Sequence, residues 1–250
     1  MKATKSKGIS ASTLKIIALT TMLIDHIGAV LLERGLLPLI ASAVLAGHSF
    51  DYLPTDYETW YHINFFLRLI GRISFPIYCF LLVEGFLHTR NVKKYVFRLA
   101  LFALISEIPF DLAFYGQFFN LGMQNVFFTL LIGLCTLWGM KALENLPQNQ
   151  ASFRILVALT GMILAEFLQT DYSAFGVLLI ILLYLFKDNR KKQSIVGAIS
   201  TLWEYTAPLA FLCTYHYNGE RGKQLPKAFF YSFYPIHLIL LFTIRNLFIF

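Results

Sequence analysis

Long apolar runs separated by short polar segments make up most of this chain. A helix that crosses the hydrocarbon core of a bilayer needs about 20 mostly apolar residues. On this pattern membrane spans are predicted at 13–33, 63–87, 95–115, 124–143, 153–169, 174–187 and 229–249. Successive apolar spans with polar connections predict an all-α, polytopic transmembrane helical bundle.

Two further apolar stretches are ambiguous. The stretch 36–48 is short for a crossing and fits a re-entrant segment. The stretch 195–214 contains Trp203, Glu204 and Pro208, so it is either one interrupted span or two short ones. Together with the longer runs, these stretches give about eight to ten spans. No linker or fixed-period repeat divides the sequence, so we expect one domain over residues 1–250.

The first apolar run is expected to be a retained span. Lysines precede it, as in a secretory signal peptide, but the apolar core of a signal peptide has only about 7–15 residues. The run 14–32 is longer and contains Asp25 and His26. Both features are atypical of a cleaved signal peptide.

Basic residues cluster in short segments between the apolar runs, which is typical of cytoplasmic loops. The segments predicted to be cytoplasmic are the N-terminus with Lys2, Lys5 and Lys7, 88–98 and 187–192. The segments 33–61 and 111–123 fit the outside. The basic loop 215–227 fits the cytoplasm, but a single crossing at 195–214 would place it outside. Two short crossings there would return it to the cytoplasmic side.

Composition agrees with a membrane protein and indicates which kinds of partner to expect. Hydrophobic residues make up 57% of the chain and charged residues 14%, against about 25% charged in soluble domains. The net charge of +7 comes from the loop clusters, so we expect contacts with membrane lipids and no nucleic acid. The three cysteines lie inside apolar runs without metal-ligand spacing, so neither a metal nor a disulfide framework is predicted.

Charged and ionisable residues inside the predicted spans point to a functional site. The residues concerned are Asp25, His26, Arg68, Arg72, Glu84, Glu107, Asp111, His237 and Arg245. Such residues cost several kcal/mol in the bilayer core and usually face a protein interior or a water-filled cavity. At 1.5 Å of rise per residue, several of them reach a similar depth, as a shared cavity requires. The alternative interpretation is purely structural, with Asp25 paired to Arg68 or Arg72 and both histidines used in packing.

Five strings carry a resemblance to a known family. They are LKIIALTTMLIDHIGAV (14–30), GRISFPIYCFLLVEGFLHTRNVKKYVFRL (71–99), NVFFTLLIG (125–133), YNGERG (217–222) and FYPIHL (233–238). In this order they resemble the TraX family of conjugative pilin acetylases of the bacterial inner membrane. That family is in turn similar to transmembrane acyltransferases that use acetyl-CoA and a membrane histidine.

The resemblance implies acyl transfer from cytosolic acetyl-CoA to an amine or hydroxyl at or across the bacterial cytoplasmic membrane. The acceptor stays open: a pilin or other protein N-terminus, a glycan or a lipid. The positions that match the family strings are Asp25, His26, Arg72, Pro76, Glu84, Asn125, His237 and the loop YNGERG.

Roles follow from what acyl transfer requires, namely a base for the acceptor's proton and donors for the oxyanion. His26 is the candidate base, oriented by Asp25, and a covalent acyl-histidine is a second route. Arg72, with Asn125 or His237, is the candidate oxyanion donor. The residues expected to bind acetyl-CoA are Arg68, Asn125, Asn218, Gly219, Arg221, Gly222 and Lys223. A loop rich in basic residues and exposed backbone N–H groups suits phosphates, and a cytoplasmic charge anchor is its other interpretation.

Two other functions fit the same buried charges. A proton-coupled transporter also uses intramembrane carboxylates and histidines, although no repeated halves are present, which many carriers have. A non-enzymatic membrane assembly protein would use the charges only to hold helices together. Acetyl-CoA binding separates the enzyme from both alternatives.

Overall fold

The computed structural model describes residues 8–45, 56–145, 150–223 and 226–248. The helices are α1 (Ala11–His26), a π-helix (Ile27–Leu36), α2 (Leu37–Leu45), α3 (Tyr57–Gly71), α4 (Ser74–His88), α5 (Val92–Tyr115), α6 (Val126–Ala142), α7 (Gln150–Phe167), α8 (Ser173–Leu185), α9 (Arg190–Ser200), α10 (Ala210–Tyr215) and α11 (Lys227–Phe248). Short 3-10 turns lie at Leu143–Asn145, Leu202–Glu204 and Ala207–Leu209. Within these ranges there is no β-strand, and the predicted all-α bundle is confirmed.

Three helical runs in the described ranges are long and apolar enough to cross a membrane: Ala11–Leu45, Tyr57–His88 and Ala228–Phe248. The helices α6 and α8 are shorter and also apolar. The chain is therefore a membrane protein. Lys2, Lys5 and Lys7, on which the predicted orientation partly rests, lie outside the described residues, as do residues 46–48.

The first span is longer than the sequence pattern indicates. The π-helix continues from α1 and passes directly into α2, with Leu37 in helical geometry at φ −63° and ψ −45°. The interpretation of 36–48 as a re-entrant segment is therefore wrong as far as Leu45, because the backbone has no turn at which to reverse. At about 1.5 Å per residue, a helix of this length exceeds the bilayer core and extends beyond it.

The second span is broken in its middle. α3 ends at Gly71, and α4 begins at Ser74 after a turn formed by Arg72 and Ile73. Pro76 lies in the first turn of α4, where a missing backbone N–H costs no helical hydrogen bond. A Cβ atom at Gly71 would overlap the Asp25 side chain. The glycine thus allows α1 and α3 to approach closely at the level of the break.

The stretch 195–214 forms a helical hairpin that enters along α9 and returns along α10. It reverses direction as the two-segment alternative requires, but its helices of 11 and 6 residues are too short to be two crossings. α9 and α10 pack against each other and are joined by an irregular tip over residues 201–209. The chain then returns to the beginning of α1: the Ile9 N–H donates to the His216 carbonyl at 2.8 Å, and the Asn218 N–H donates to the Ile9 carbonyl at 3.0 Å.

These contacts define two faces of the bundle. The N-terminal face carries the beginning of α1 and residues 216–222, which contact each other. The opposite face carries the turn 168–172, which pairs with the beginning of α6 through the bridge between Gln124 and Thr170. Each of the runs Ala11–Leu45 and Tyr57–His88 and each of the helices α5, α6, α7, α8 and α11 extends from one of these faces to the other. Which face is cytoplasmic stays a prediction.

Candidate functional site

A cavity of about 250 Å³ lies between α1, the π-helix, the α3–α4 break, α5 and α11. Its polar wall includes Asp25, His26, Glu33, Arg68, Arg72 and Asp171. Arg34 and Met123, which are both exposed, lie at its outer end. That end is on the opposite face, so the cavity is reached from the side away from the YNGERG loop.

His26 and His237 form a buried pair in this region. The Nδ1 atom of His26 lies 2.6 Å from the Nε2 atom of His237, and the two rings are nearly parallel, at 6°. The Nδ1 atom of His237 lies 2.7 Å from the Phe233 carbonyl oxygen. His26 is 9% exposed and His237 3%.

The carbonyl of Phe233 determines which nitrogens carry protons in the neutral pair. A carbonyl only accepts, so His237 Nδ1 must be the protonated nitrogen and His237 Nε2 must be the acceptor. His26 Nδ1 then donates to His237 Nε2. His26 Nε2 is left without a proton, which is the form that a base or nucleophile needs.

The local backbone and two aromatic rings position His26. It is the last residue of α1, and the following π-helix brings Ala29, Glu33 and Arg34 to the same cavity. π-Helical segments are rare and often occur at functional sites. The rings of Phe114 and Tyr234 lie edge-on to the His26 ring, with centroids at 5.6 and 5.8 Å. Packing against these two rings restricts rotation of the imidazole.

Asp25 does not orient the imidazole of His26. Its carboxylate pairs with Arg68, and the Nε atom of Arg68 also lies 3.5 Å from Glu33. Adjacent residues on a helix point about 100° apart, so Asp25 faces α3 while His26 faces α11. The expected orienting contact is thus made by His237, and the predicted pairing of Asp25 with an arginine is present.

Arg72 lines the cavity and is held from the hairpin tip. Its Nε atom lies 3.1 Å from the Glu204 carboxylate, and Tyr172 lines the same cavity. Thr206, two residues after Glu204, donates to the carbonyl of Leu69. The hairpin therefore fixes the α3–α4 break and aims the guanidinium, leaving its remaining N–H groups as possible donors.

Asn125 lies outside the cavity wall and is fully buried. Its Oδ1 atom accepts the Phe127 N–H at 3.0 Å, which caps α6. Its amide donates to the Ala103 carbonyl at 2.8 Å and to Glu107. Both amide N–H groups are thus committed, and this geometry offers no donor for the ligand or oxyanion contact expected from the sequence.

The YNGERG loop lies at the N-terminal face, where it caps α1. The Ala11 and Ser12 N–H groups donate to the carbonyls of Glu220 and Arg221 at 2.9 and 3.1 Å. Gly219 and Gly222 adopt φ values of 79° and 69°, and a Cβ on Gly222 would overlap the hydroxyls of Ser10 and Ser12. Both glycines therefore allow the left-handed backbone of this loop, and Gly222 also leaves room for the two serine hydroxyls.

The structure does not bring this loop next to the histidine pair. From Ala11 to His26 the axis of α1 rises about 22 Å at 1.5 Å per residue. Asn218, Gly219, Arg221, Gly222 and Lys223 are thus separated from His26 by most of one span. His26, Asp25, Arg68 and Arg72 do come together, with His237 bonded directly behind His26.

Glu84 and Arg245, two of the ionisable residues inside the predicted spans, are structural in this arrangement. Glu84 pairs with Arg190 at 3.0 Å and so ties α4 to α9. Arg245 is 5% exposed, and its guanidinium donates to the carbonyls of Ala113 and Leu112 at 2.7 and 3.3 Å. It therefore caps the end of α5.

Two site residues were missed as candidates. In the sequence Glu204 is a charge that interrupts an apolar stretch, and Asp171 is an acid in the short turn at the outer ends of two spans, at the depth of the other polar groups. Asp171, in the turn between α7 and α8, forms part of the cavity wall. Burial and the nearby charge of Asp25 raise the pKa of Asp171 to about 7, although the charges of Arg72 and Arg68 act to lower it. An acid that interrupts an apolar stretch, or that lies in the short turn between two spans, is the sequence signal that could have identified them.

Comparison with known proteins agrees with the resemblance in sequence. The chain is 27% identical over 261 aligned residues to the probable fimbrial assembly protein FimC, serogroup H1, of Dichelobacter nodosus, which covers 93% of this chain and 94% of that protein. No solved structure matches the chain. The family model described as TraX protein matches residues 10–245. Because this match covers nearly the whole sequence and all of the cavity residues, the chain belongs to the TraX family.

Proposed function

We propose that this protein is a membrane-embedded acyltransferase that moves an acetyl group from acetyl-CoA to an amine or hydroxyl of a surface-destined acceptor. The observation that carries the proposal is the buried His26–His237 pair, in which His26 Nε2 is free of a proton and His26 lines a cavity. An unprotonated imidazole nitrogen at the wall of a cavity is suited to nucleophilic or general-base catalysis.

The first chemical step in the proposal uses the pair as a unit. His26 Nε2 attacks the thioester carbonyl, and the C–S bond breaks to release the CoA thiolate. As the imidazole of His26 becomes acylated, its Nδ1 proton passes to His237 Nε2. His237 then carries the positive charge, and its own Nδ1–H stays bonded to the Phe233 carbonyl. Direct transfer, with His26 as the base for the acceptor, uses the same nitrogen.

Arg72 is the proposed donor to the oxyanion. It lines the cavity that contains His26, and Glu204 holds its Nε side. A donor that is already oriented stabilises the developing charge without reorganising in the transition state. Arg68 has a different proposed role, since Asp25 and Glu33 occupy its guanidinium. It offsets part of the negative charge of these two carboxylates.

The donor and the acceptor are proposed to approach from different faces. The basic YNGERG loop suits the phosphates of acetyl-CoA, and the thioester would then have to travel about 22 Å along α1 to reach His26. The acceptor would enter through the end of the cavity near Arg34 and Met123. A pilus component is the acceptor that the name of the fimbrial relative favours.

The decisive experiment incubates the purified protein in detergent with radiolabelled acetyl-CoA. Wild type is compared with His26→Gln and with the control His62→Gln, which alters an exposed histidine on α3. We expect label on wild type and His62→Gln and none on His26→Gln. If wild type binds acetyl-CoA without retaining label, and His26→Gln has lost the transfer activity of wild type, the result would favour direct transfer. Folded wild type that binds no acetyl-CoA would reject the acyltransferase and favour a carrier.

A further inference from the structure

The turn between α7 and α8 has an unusual backbone. Gln169, Tyr172 and Ser173 have φ values of 50°, 77° and 47°. Residues other than glycine rarely adopt this left-handed region. Such conformations persist where the surrounding structure enforces them, and they concentrate at functional sites.

Backbone hydrogen bonds from the beginning of α6 fix this turn. The Gln124 N–H donates to the Gln169 carbonyl at 3.0 Å, and the Asp171 N–H donates to the Gln124 carbonyl at 2.9 Å. The Thr170 N–H donates to the Ala165 carbonyl at 3.1 Å. Asp171 is therefore anchored through its backbone, while its carboxyl lies in the wall of the cavity that also contains His26.

The carboxyl of Asp171 faces charges of both signs and several phenols. Its charged neighbours are Asp25 on α1, Arg68 on α3, Arg72 at the α3–α4 break and Glu204 at the hairpin tip. The phenols that sense its charge belong to Tyr115, Tyr172 and Tyr234. In the described ranges Asp171 takes part in no ion pair, unlike Asp25 and Glu204. Its carboxyl is thus not committed to holding helices together.

An acylated His26 creates a chemical requirement that the histidine pair cannot meet. Its Nε2 is bonded to the acyl group, and His237 holds the proton that the first step released. The acceptor must still lose a proton as it attacks, so a second base is needed in the same cavity. Asp25, Glu33 and Glu204 are each paired with an arginine, so these carboxylates are not available as the second base.

We propose that Asp171 is this second base, an additional catalytic residue that takes the acceptor's proton while His26 carries the acyl group. This inference rests on the proposed acyltransferase function and on its acyl-histidine route. The acceptor's O–H or N–H bond breaks, its proton goes to the Asp171 carboxylate, and its lone pair forms the bond to the acyl carbon. The bond from that carbon to His26 Nε2 breaks, and His237 returns its proton to the His26 imidazole. Asp171 then releases the acceptor's proton to solvent through the outer end of the cavity.

The electrostatic setting suits this role. Burial and the charges of Asp25 and Glu204 raise the pKa of Asp171 to about 7, against the opposing charges of Arg72 and Arg68. A base whose pKa lies near the working pH combines a useful ionised fraction with a strong pull on the proton. The acceptor step should therefore accelerate as the pH rises through about 7.

The test separates acylation from discharge. Protein in detergent is acylated with radiolabelled acetyl-CoA, freed of excess donor, and followed as label leaves to water, to glycinamide or to hydroxylamine. The variants are wild type, Asp171→Asn and the control Asp188→Asn, which changes an exposed carboxylate beside Lys187. We expect Asp171→Asn to acquire label normally and to lose it to water and glycinamide about 10²-fold more slowly. Hydroxylamine, a strong neutral nucleophile, should discharge all three proteins at similar rates.

Two results would overturn the inference while leaving the acyltransferase in place. One is discharge of Asp171→Asn to glycinamide at the wild-type rate with an unchanged pH profile. The other is a folded Asp171→Asn protein that fails to acquire label, which would assign Asp171 to the first step. Wild type that binds acetyl-CoA without acquiring label would overturn the acyl-histidine route and this role together.

Discussion

The Nδ1 atom of His26 on α1 lies 2.6 Å from the Nε2 atom of His237 on α11, although 211 positions separate these residues in the chain. The contact joins the first and last spans of the bundle at the depth of the cavity. Together with the Phe233 carbonyl, it leaves His26 Nε2 as the nitrogen available for chemistry. His237 therefore acts through His26 and is a positioning residue.

Removing His237 should lower the rate of acyl transfer by about 10²-fold, because His26 loses the group that selects its tautomer and receives its proton. His237→Gln keeps an amide oxygen that can accept from His26 Nδ1 and should restore part of the rate lost in His237→Ala. The measurement is the rate of label acquisition from radiolabelled acetyl-CoA across pH. Equal rates in the Ala and Gln variants, with both proteins folded, would show that the hydrogen bond has no part in catalysis.

Gly71→Ala should destabilise the bundle, since the new methyl group would overlap Asp25 and push it away from Arg68. Overpacking of this kind costs about 1–3 kcal/mol. Thermal unfolding in detergent measures the effect. Gly85→Ala is a matched control on α4, where the nearest atom is the Tyr95 hydroxyl at 3.1 Å and needs to move only a few tenths of an ångström. The prediction fails if both variants unfold at the wild-type temperature.

Glu204→Gln should reduce acyl transfer without abolishing acetyl-CoA binding. The change removes the charge that holds the Nε side of Arg72 and leaves the guanidinium free to turn away from the cavity. A fall in rate of about tenfold, smaller than the loss of a direct oxyanion donor at 10²–10³, is expected. Glu58→Gln, which changes an exposed carboxylate in the first turn of α3, is the control. An Arg72→Lys variant as active as wild type would remove Arg72 from the mechanism and this effect with it.

Cysteine labelling tests the two-face topology. In a background with Cys79, Cys135 and Cys213 replaced, single cysteines at Lys223 and Leu121 should react with an impermeant reagent from opposite sides of the membrane. Lys223 belongs to the loop that contacts α1, and Leu121, 79% exposed, lies in the α5–α6 connection. The positive-inside pattern predicts that Lys223 is the cytoplasmic one. Labelling of both positions from one side would contradict the hairpin arrangement of α9 and α10.

The site was predictable in part, because a membrane makes some residues conspicuous. Asp25, His26, Arg68, Arg72 and His237 stand out as ionisable groups in apolar runs, and four of them line the cavity. Because Asp25 and His26 are adjacent in the sequence, the sequence predicts that Asp25 orients the imidazole of His26. The helix geometry separates them by about 100°, and the partner of His26 comes from the other end of the chain.

The sequence by itself determined the helical class, the membrane location, the TraX resemblance and the presence of a polar site at depth. These follow from local properties: the length of apolar runs, the cost of intramembrane charge and the identity of short strings. Only the tertiary structure decided that 195–214 folds back on itself, that Glu204 holds Arg72, that Asn125 is consumed in capping α6, and that the YNGERG loop lies a span away from His26. Helix packing decides such relationships, because the direction of a side chain depends on helix rotation and on which distant helix it meets, and neither is encoded in the spacing of residues along the chain.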